Sequence, residues 1–446
     1  MIDSRLYPYQ VACAQFLAER ASAMLADDMG IGKTAQAIAA CDLAGVQTAV
    51  VVCPGIAREN WKREFASWGQ RNRRCYVVRG TPDLLNVRAL TADVLIISYA
   101  LLAQEKARRW LARHRFDALI CDEAQALKSP ESKRSKAVYG SKFDRSHGLA
   151  SLCDRVWLLT GTPMPNHPGE MWTHVRALWP ESLAGVGLRH DEWLWNFCRL
   201  DEMTGAVIGA RRVPELLTLL KPHVLQRRQI DVQPELPPLR WSNVTVAPDT
   251  VPPLPPELAA ATSVLAAALA EAKGDDAAAA IAEAEAMHLA TLRRWTGVAK
   301  AGAVVDLLKA DFDAGLESVV IFGCHVEVLE TIARGLGVGG ALLFGGTKSH
   351  ERQQIIDDFQ AGRLRWVVCQ MSIASTALTL TRASHVVFAE SSWVPADMLQ
   401  AAKRSHRIGQ ARPVLARVIS LAGSIDEAVN SVLVRKSSML AKIALA

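Results

Sequence analysis

No Cys-x-x-Cys pair occurs among the nine cysteines, which are scattered singly. Neither a structural zinc site nor a disulfide framework is therefore expected, and a reducing compartment is. Cys53, Cys121 and Cys369 sit in apolar runs and read as small core residues. No apolar run approaches the ~18 residues of a membrane helix, and Met1 to Gln10 has no apolar signal region. The expectation is a soluble, intracellular, cytoplasmic protein without a membrane partner. Charge of one sign is not in large excess. Lys and Arg number 51 against 45 Asp and Glu, a net +6 that permits a polyanionic partner without requiring one. What is present is globular: half of the residues are hydrophobic and 22% are charged. At 446 residues the chain exceeds one ordinary core, so two or more domains are expected.

The chain is organised around Leu25-Ala26-Asp27-Asp28-Met29-Gly30-Ile31-Gly32-Lys33-Thr34. Ala23 to Ala26 reads as a buried strand end, and Lys33 to Ala44 has helical apolar spacing at Ile38, Cys41 and Ala44. Strand, Gly-containing loop, Gly-Lys-Thr and helix make a phosphate-binding loop. Backbone N–H groups at the helix start and the helix dipole both favour an anion there. Lys33 would reach the outer phosphates and the Thr34 hydroxyl would ligate Mg²⁺. The strict pattern has Gly five residues before Gly32, where this chain has Asp27; a chance turn before a helix is the competing reading. Upstream, Leu6-Tyr7-Pro8-Tyr9-Gln10 precedes a helical stretch, Val11 to Ala23. A Gln held on a Pro-containing start can read an adenine edge through its amide.

Short apolar runs then alternate with helix-like stretches: Ala49 to Cys53, Cys75 to Val78, Val94 to Ser98, Leu119 to Cys121 and Val156 to Thr160. This is the pattern of a parallel sheet covered on both faces, with function at the C-terminal strand ends. Leu119-Ile120-Cys121 runs into Asp122-Glu123-Ala124-Gln125. Two adjacent carboxylates at the end of a buried strand are costly unless a cation or water uses them. Asp122 would hold Mg²⁺ through its shell, and Glu123 would orient or deprotonate the attacking water. Thr160-Gly161-Thr162-Pro163 ends the last strand, and its hydroxyls can sense the phosphate and report it to a neighbouring groove. Lys128 to Arg145 holds six basic and two acidic residues. It reads as a surface for a nucleic-acid backbone, with Lys128, Lys133, Arg134 and Thr162 as contact candidates. The five tryptophans between Trp157 and Trp195 read as packing residues.

Together these motifs resemble helicase superfamily two, and within it the Swi/Snf family of double-stranded-DNA translocases; Leu378-Thr379-Leu380-Thr381, with Ala383-Ser384 and Phe388-Ala389-Glu390, looks most like its annealing-helicase (HARP-like) branch. The resemblance covers nearly the whole chain. Leu6-Tyr7-Pro8-Tyr9-Gln10 is similar to the family's opening motif, and Asp27 to Thr34 to its loop, with Asp28 where Glu is usual. That places Gln10, Asp28, Met29, Gly30, Ile31, Gly32, Lys33 and Thr34 around the nucleotide. Asp122-Glu123-Ala124-Gln125 matches the acidic motif, with Gln125 in place of the more usual His. Leu159-Thr160-Gly161-Thr162-Pro163, with Asn166 and Glu170 behind it, also matches, and Arg227-Arg228 resembles the segment that leaves the first lobe.

Val232 to Pro256 is Pro-rich and reads as a semi-rigid connector; the Ala- and Glu-rich Leu258 to Trp295 reads as a helical hairpin. A second alternation follows: Ser318 to Phe322, Ala341 to Phe344, Trp366 to Gln370, His385 to Phe388 and Val414 to Ser420. The resemblance makes the fold α/β, two RecA-like parallel-sheet lobes with helical insertions between them and the nucleotide between the lobes. The expected division is 1–230, a connector over 231–256, and 257–446. Arg404-Ser405-His406-Arg407-Ile408-Gly409-Gln410 is the most specific signal here. Two guanidiniums three residues apart share one side of a helical turn. They can clamp a γ-phosphate as charge develops, and the family match adds Gln410 to the nucleotide set. Ser375-Thr376-Ala377 stands where the family has Gly-x-Gly, and Lys403 where it has Asp; Ser375 and Thr376 are further DNA-contact candidates, and the Lys403 cation a possible one. Ser424 to Ala428 opens a segment resembling the family's closing brace. The implied activity is a DNA-dependent ATPase, monomeric and nucleoid-associated, that uses ATP and Mg²⁺ and couples lobe closure to movement on duplex DNA. An RNA-dependent helicase and a non-catalytic ATP- and DNA-binding scaffold are the alternatives.

Overall fold

The computed structural model describes residues 3–81, 87–143, 148–165, 167–187, 189–201, 205, 207–249, 251, 253–256, 258–259, 262, 289–374, 378–392, 395–424, 426–427 and 430. The chain forms two compact units that divide between Pro234 and Glu235.

In the first unit the strands are β1 (Ser22–Leu25), β2 (Ala49–Cys53), β3 (Cys75–Val77), β4 (Val94–Ser98), β5 (Phe116–Asp122), β6 (Cys153–Leu159) and β9 (Val224–Leu225). They make one sheet in the order β3-β4-β2-β5-β6-β1-β9, with parallel pairing throughout. A parallel sheet needs both faces covered, and the strand composition provides for that. Val50, Val52, Leu119 and Cys121 enter one apolar cluster, while Ala49, Val51, Cys53, Ala118 and Ile120 enter another. Alternate residues of one strand thus serve opposite cores, as the two-residue side-chain period requires. The helices α1 (Pro8–Ala18), α2 (Lys33–Leu43) and α3 (Arg58–Trp68) contribute Leu17, Ile38 and Trp61 to the second cluster.

The register positions the site. Leu25 is level with Leu159, and Leu159 with Asp122, while Val52 is level with Cys121. The segments that follow β1, β5 and β6 therefore leave the sheet side by side. β7 (Cys198–Leu200) and β8 (Val207–Ala210) form a separate antiparallel pair that the apolar patterning did not disclose. Trp157, Trp172, Trp179 and Trp193 are buried, as a packing role requires, but Trp195 is 68% exposed.

The second unit carries β10 (Leu239–Val246), β11 (Val319–Gly323), β12 (Gly340–Leu343), β13 (Trp366–Gln370), β14 (His385–Phe388) and β15 (Val414–Leu421). Their order is β10-β15-β14-β11-β13-β12, again parallel. One face packs on the helices Leu289–Asp313 and Val326–Leu336 through Val304, Leu308, Ile321, Leu329 and Ile332. The reading of 231–256 as a connector is corrected at Leu239–Val246, which pairs along its whole length with Val414–Leu421 as the edge strand. An edge strand needs only one hydrogen-bonded flank, which lets it sit among prolines. Most of the expected helical hairpin and of the closing brace lies outside the described residues, as does Asn166.

Candidate nucleotide site and basic surface

β1 delivers the chain into a loop whose two glycines have φ of +88° at Gly30 and +90° at Gly32. Only glycine takes that conformation freely. At Gly32 there is a second reason: a Cβ would lie 2.3 Å from Gln10 Nε2. The Ile31 carbonyl accepts from Gln10 Nε2 (3.0 Å), Gln36 Nε2 (3.1 Å) and the Tyr9 hydroxyl (3.1 Å). Gln10 Oε1 accepts the Tyr7 amide at 3.0 Å. Gln10 is 3% exposed. Its amide, read from sequence as an adenine-edge reader, is built into the loop as a support. Lys33 opens α2 and its ammonium donates to the carbonyls of Asp27 (2.6 Å) and Asp28 (2.9 Å). Thr34 follows it in the first turn.

Asp27, at the position of the missing glycine, is fully buried and accepts the Cys13 thiol at 3.2 Å. Burial pushes its carboxyl up to about 6, against the pull of Lys33. Asp28 accepts the Gln229 amide (3.0 Å), and its own amide donates to the Arg227 carbonyl (3.0 Å). The Arg227 guanidinium in turn donates to the Tyr9 carbonyl (2.7 Å). The Arg227-Arg228 segment thereby braces both the loop and the helix over it.

Asp122 ends β5 with its carboxylate held by two neutral donors: the Trp61 indole on Oδ2 (2.8 Å) and the Glu123 amide on Oδ1 (3.1 Å). Burial, then the neighbouring Glu123 charge, raises its pKa to about 6. Glu123 has φ +52°, an unfavourable conformation for a non-glycine residue and one often found at functional sites. Its Oε2 accepts Gln125 Nε2 at 2.7 Å; Gln125 Oε1 accepts the Thr160 hydroxyl at 2.8 Å; and Thr160 Oγ1 accepts the Thr162 amide at 3.0 Å. A continuous chain of hydrogen bonds therefore joins the acidic pair to the end of β6. Gly161 closes the arrangement, since a Cβ there would meet Met29 Cγ at 2.6 Å and lie 3.6 Å from Lys33 Nζ. Burial lowers the Lys33 pKa, while the charges of Glu123, Asp27, Asp28 and Asp122 oppose that shift. The loop, the acidic pair and the Thr160–Thr162 turn thus form one site in the first unit.

Among the described residues no group of three or more His, Cys, Asp or Glu is arranged to hold a metal. Mg²⁺ takes one or two protein oxygens and completes its shell from phosphates and water. Thr34 and Asp122 are the residues expected to offer such oxygens. The neutral partners of Asp122 leave its charge available to a cation.

Arg404, Arg407 and Gln410 lie in the second unit, after the helix Pro395–Ala402. The Arg407 guanidinium donates to the Leu378 carbonyl (3.1 Å) and the Thr379 hydroxyl (3.2 Å), and the Arg404 carbonyl accepts the Leu380 amide (2.9 Å). Gln410, expected in the nucleotide set, is the last of the three. It is 6% exposed, and its Nε2 donates to the carbonyls of Thr381, Ala383 and Ser405 at 2.9–3.1 Å. It fastens the turn from within. Lys403 is 7% exposed, so its cation does not face outward to a phosphate chain.

Lys133 and Arg134 are exposed at the start of the helix Lys133–Tyr139, where the Ser132 hydroxyl caps the Ser135 amide at 3.0 Å. Lys128 pairs at 2.6 Å with Glu170, a carboxylate 6% exposed, while its own side chain is 35% exposed. A buried carboxylate needs that cation, so Lys128 serves the fold. Thr162 is half-buried at the end of the hydrogen-bond chain. Ser375 and Thr376 lie outside the described residues. Sequence reasoning missed Trp61 and Tyr99, whose hydroxyl donates to the Asp122 carbonyl at 2.8 Å. The only signal for Trp61 was its place in the helix after β2.

A model of the SNF2-related domain matches residues 9–251, and one of the helicase conserved C-terminal domain matches residues 299–409. A Xenopus tropicalis protein named SWI/SNF-related matrix-associated actin-dependent regulator of chromatin subfamily A-like protein 1 is 31% identical over 450 residues, covering 96% of this chain and 43% of the relative. The Homo sapiens DNA annealing helicase and endonuclease ZRANB3 is 27% identical over 462 residues, 98% of this chain and 40% of its own length. This chain spans less than half the length of these two relatives. A solved structure of the Sulfolobus solfataricus SWI2/SNF2 ATPase core in complex with dsDNA aligns over 100% of this chain and 94% of that one, at 22% identity and a TM-score of 0.44.

Proposed function

The chain belongs to the SNF2-related family, and on that premise we propose that it is an ATP-hydrolysing motor that tracks on double-stranded DNA. The observation that carries this reading is the single site made by Lys33, Asp122, Glu123 and the Gln125–Thr160–Thr162 chain. The loop amides and Lys33 bind the phosphates, and Lys33 exchanges two loop carbonyls for phosphate oxygens. Thr34 and Asp122 would hold the Mg²⁺ that accompanies the nucleotide, and it would supply charge neutralisation on the phosphates. Glu123, oriented by Gln125, positions the attacking water and accepts its proton. A change at Glu123 as phosphate is lost is passed through Gln125 and Thr160 to the Thr162 amide, and the exposed Lys133 and Arg134 meet the DNA backbone. Arg404 and Arg407 are the guanidiniums proposed for the developing phosphate charge. Duplex DNA is the partner and a monomer the working form.

The test is ATP hydrolysis by the purified chain with duplex DNA, single-stranded DNA and duplex RNA. Duplex DNA should stimulate most. Lys33→Ala should abolish turnover, and Glu123→Gln should bind ATP without hydrolysing it. Near-normal turnover in either variant defeats the site assignment, and stronger stimulation by RNA defeats the substrate assignment.

A further inference from the structure

We propose that Trp61 is a positioning residue for the metal–nucleotide complex, acting through Asp122. The inference rests on the functional reading above. The geometry behind it is independent of that reading. α3 follows β2, which lies beside β5 with Val52 level with Cys121. The first turn of α3 thus stands over the end of β5, and the Trp61 ring is 1% exposed there. Phe65, one turn on, packs on it with ring centroids 6.1 Å apart and is itself 4% exposed. The ring has no freedom to swing. Its indole N–H points at Asp122 Oδ2 at 2.8 Å, while the Glu123 amide takes Oδ1 and the Tyr99 hydroxyl takes the Asp122 carbonyl.

The chemistry of the donor is the point. An indole N–H is a donor only and carries no charge. It fixes the plane of the carboxylate without neutralising it, where a lysine or arginine in the same place would compete with a cation for the same oxygen. Each carboxylate oxygen keeps a lone pair for the metal shell. Groups that orient a ligand in this way change metal affinity when lost, commonly by about 10–100-fold.

Two full-length variants test it. Trp61→Phe removes the donor and some volume. Benzothienylalanine at position 61 keeps both rings and replaces N–H with sulfur, so packing is retained. The readout is binding, not turnover: affinity for ADP in EDTA, and affinity of Mn²⁺ for the protein–ADP complex from loss of the free-ion electron paramagnetic resonance signal. We expect ADP affinity in EDTA to stay close to wild type while Mn²⁺ affinity falls about tenfold or more in both variants. Unchanged Mn²⁺ affinity in the benzothienylalanine protein overturns the proposal, and so does an equal fall in ADP affinity without metal. A wild-type chain that binds neither ADP nor Mn²⁺·ADP overturns the functional reading itself.

Discussion

His174 is 1% exposed, and its Nδ1 shares a 2.8 Å hydrogen bond with the hydroxyl of Tyr139, which is fully buried. Burial lowers its pKa to about 3. The folded protein therefore keeps the ring neutral, whereas the unfolded chain takes up a proton below its ordinary value of about 6.5. Nothing is lost at neutral pH, where both states are neutral. As pH falls from about 6.5 toward 3 the unfolded state gains the proton and stability declines, by about 2 kcal/mol at pH ~5. His174→Gln should remove that slope: urea midpoints of wild type and variant should converge on acidification. Parallel curves would mean that His174 does not titrate in this range. Gly32 shows the opposite constraint, one of space. Gly32→Ala would meet Gln10 Nε2 at a positive φ, so nucleotide affinity should fall steeply in a titration while the rest of the first unit stays folded.

Among the elements, the helix Leu289–Asp313 is fastened by one buried lysine to a carbonyl of β15 and, as an ion pair, to Asp426 beyond it. Lys300 is 1% exposed and donates to the Ile419 carbonyl and to Asp426 Oδ2, both at 2.5 Å. Asp426 also accepts the Leu421 amide (3.0 Å) and Asn430 Nδ2 (3.1 Å), and Asn430 Oδ1 accepts the Ser391 hydroxyl (2.6 Å). One network thus joins that helix, β15, the turn after β14 and the residues that follow β15. Removing one partner leaves a buried charge unmatched, at about 3–5 kcal/mol. Asp426→Ala should therefore speed hydrogen exchange at the β15 amides, and Lys300→Met with Asp426→Leu should restore most of the protection. If the double variant exchanges as fast as the single one, hydrogen-bond geometry rather than charge holds the segment. β10, which sequence patterning read as connector, is built from the same logic of partners. Its residues alternate between half-buried and exposed, and its prolines flank the strand, so only its pairing with β15 reveals it.

For the whole molecule the decisive quantities are kinetic and ionic. Arg404 and Arg407 should act on kcat more than on nucleotide affinity, because their target charge grows toward the transition state. Alanine at either should lower kcat by about 10³-fold, the scale of an arginine finger, with ATP affinity nearly intact. A fall in affinity at constant kcat would make them ordinary binding groups. Stimulation by duplex DNA should fall steeply with added salt and depend little on sequence, since backbone contacts release counterions and carry no base information. A flat salt response would remove the exposed Lys133 and Arg134 surface from the account.

What the sequence determined by itself was whatever depends on local spacing. Apolar runs of strand length announced two parallel sheets, and the Gly-Lys-Thr turn and the carboxylates after Cys121 marked the candidate site, because side-chain period and turn chemistry act within a few residues. What only the tertiary structure decided was the partner of each buried polar group. Trp61 meets Asp122 across 61 residues, Lys128 meets Glu170 across 42, and Gln10 meets the Ile31 carbonyl across 21. Gln410 turns inward onto three carbonyls. A buried donor must find an acceptor, but which acceptor lies within about 3 Å is set by how the strands stack, and no spacing along the chain encodes that distance.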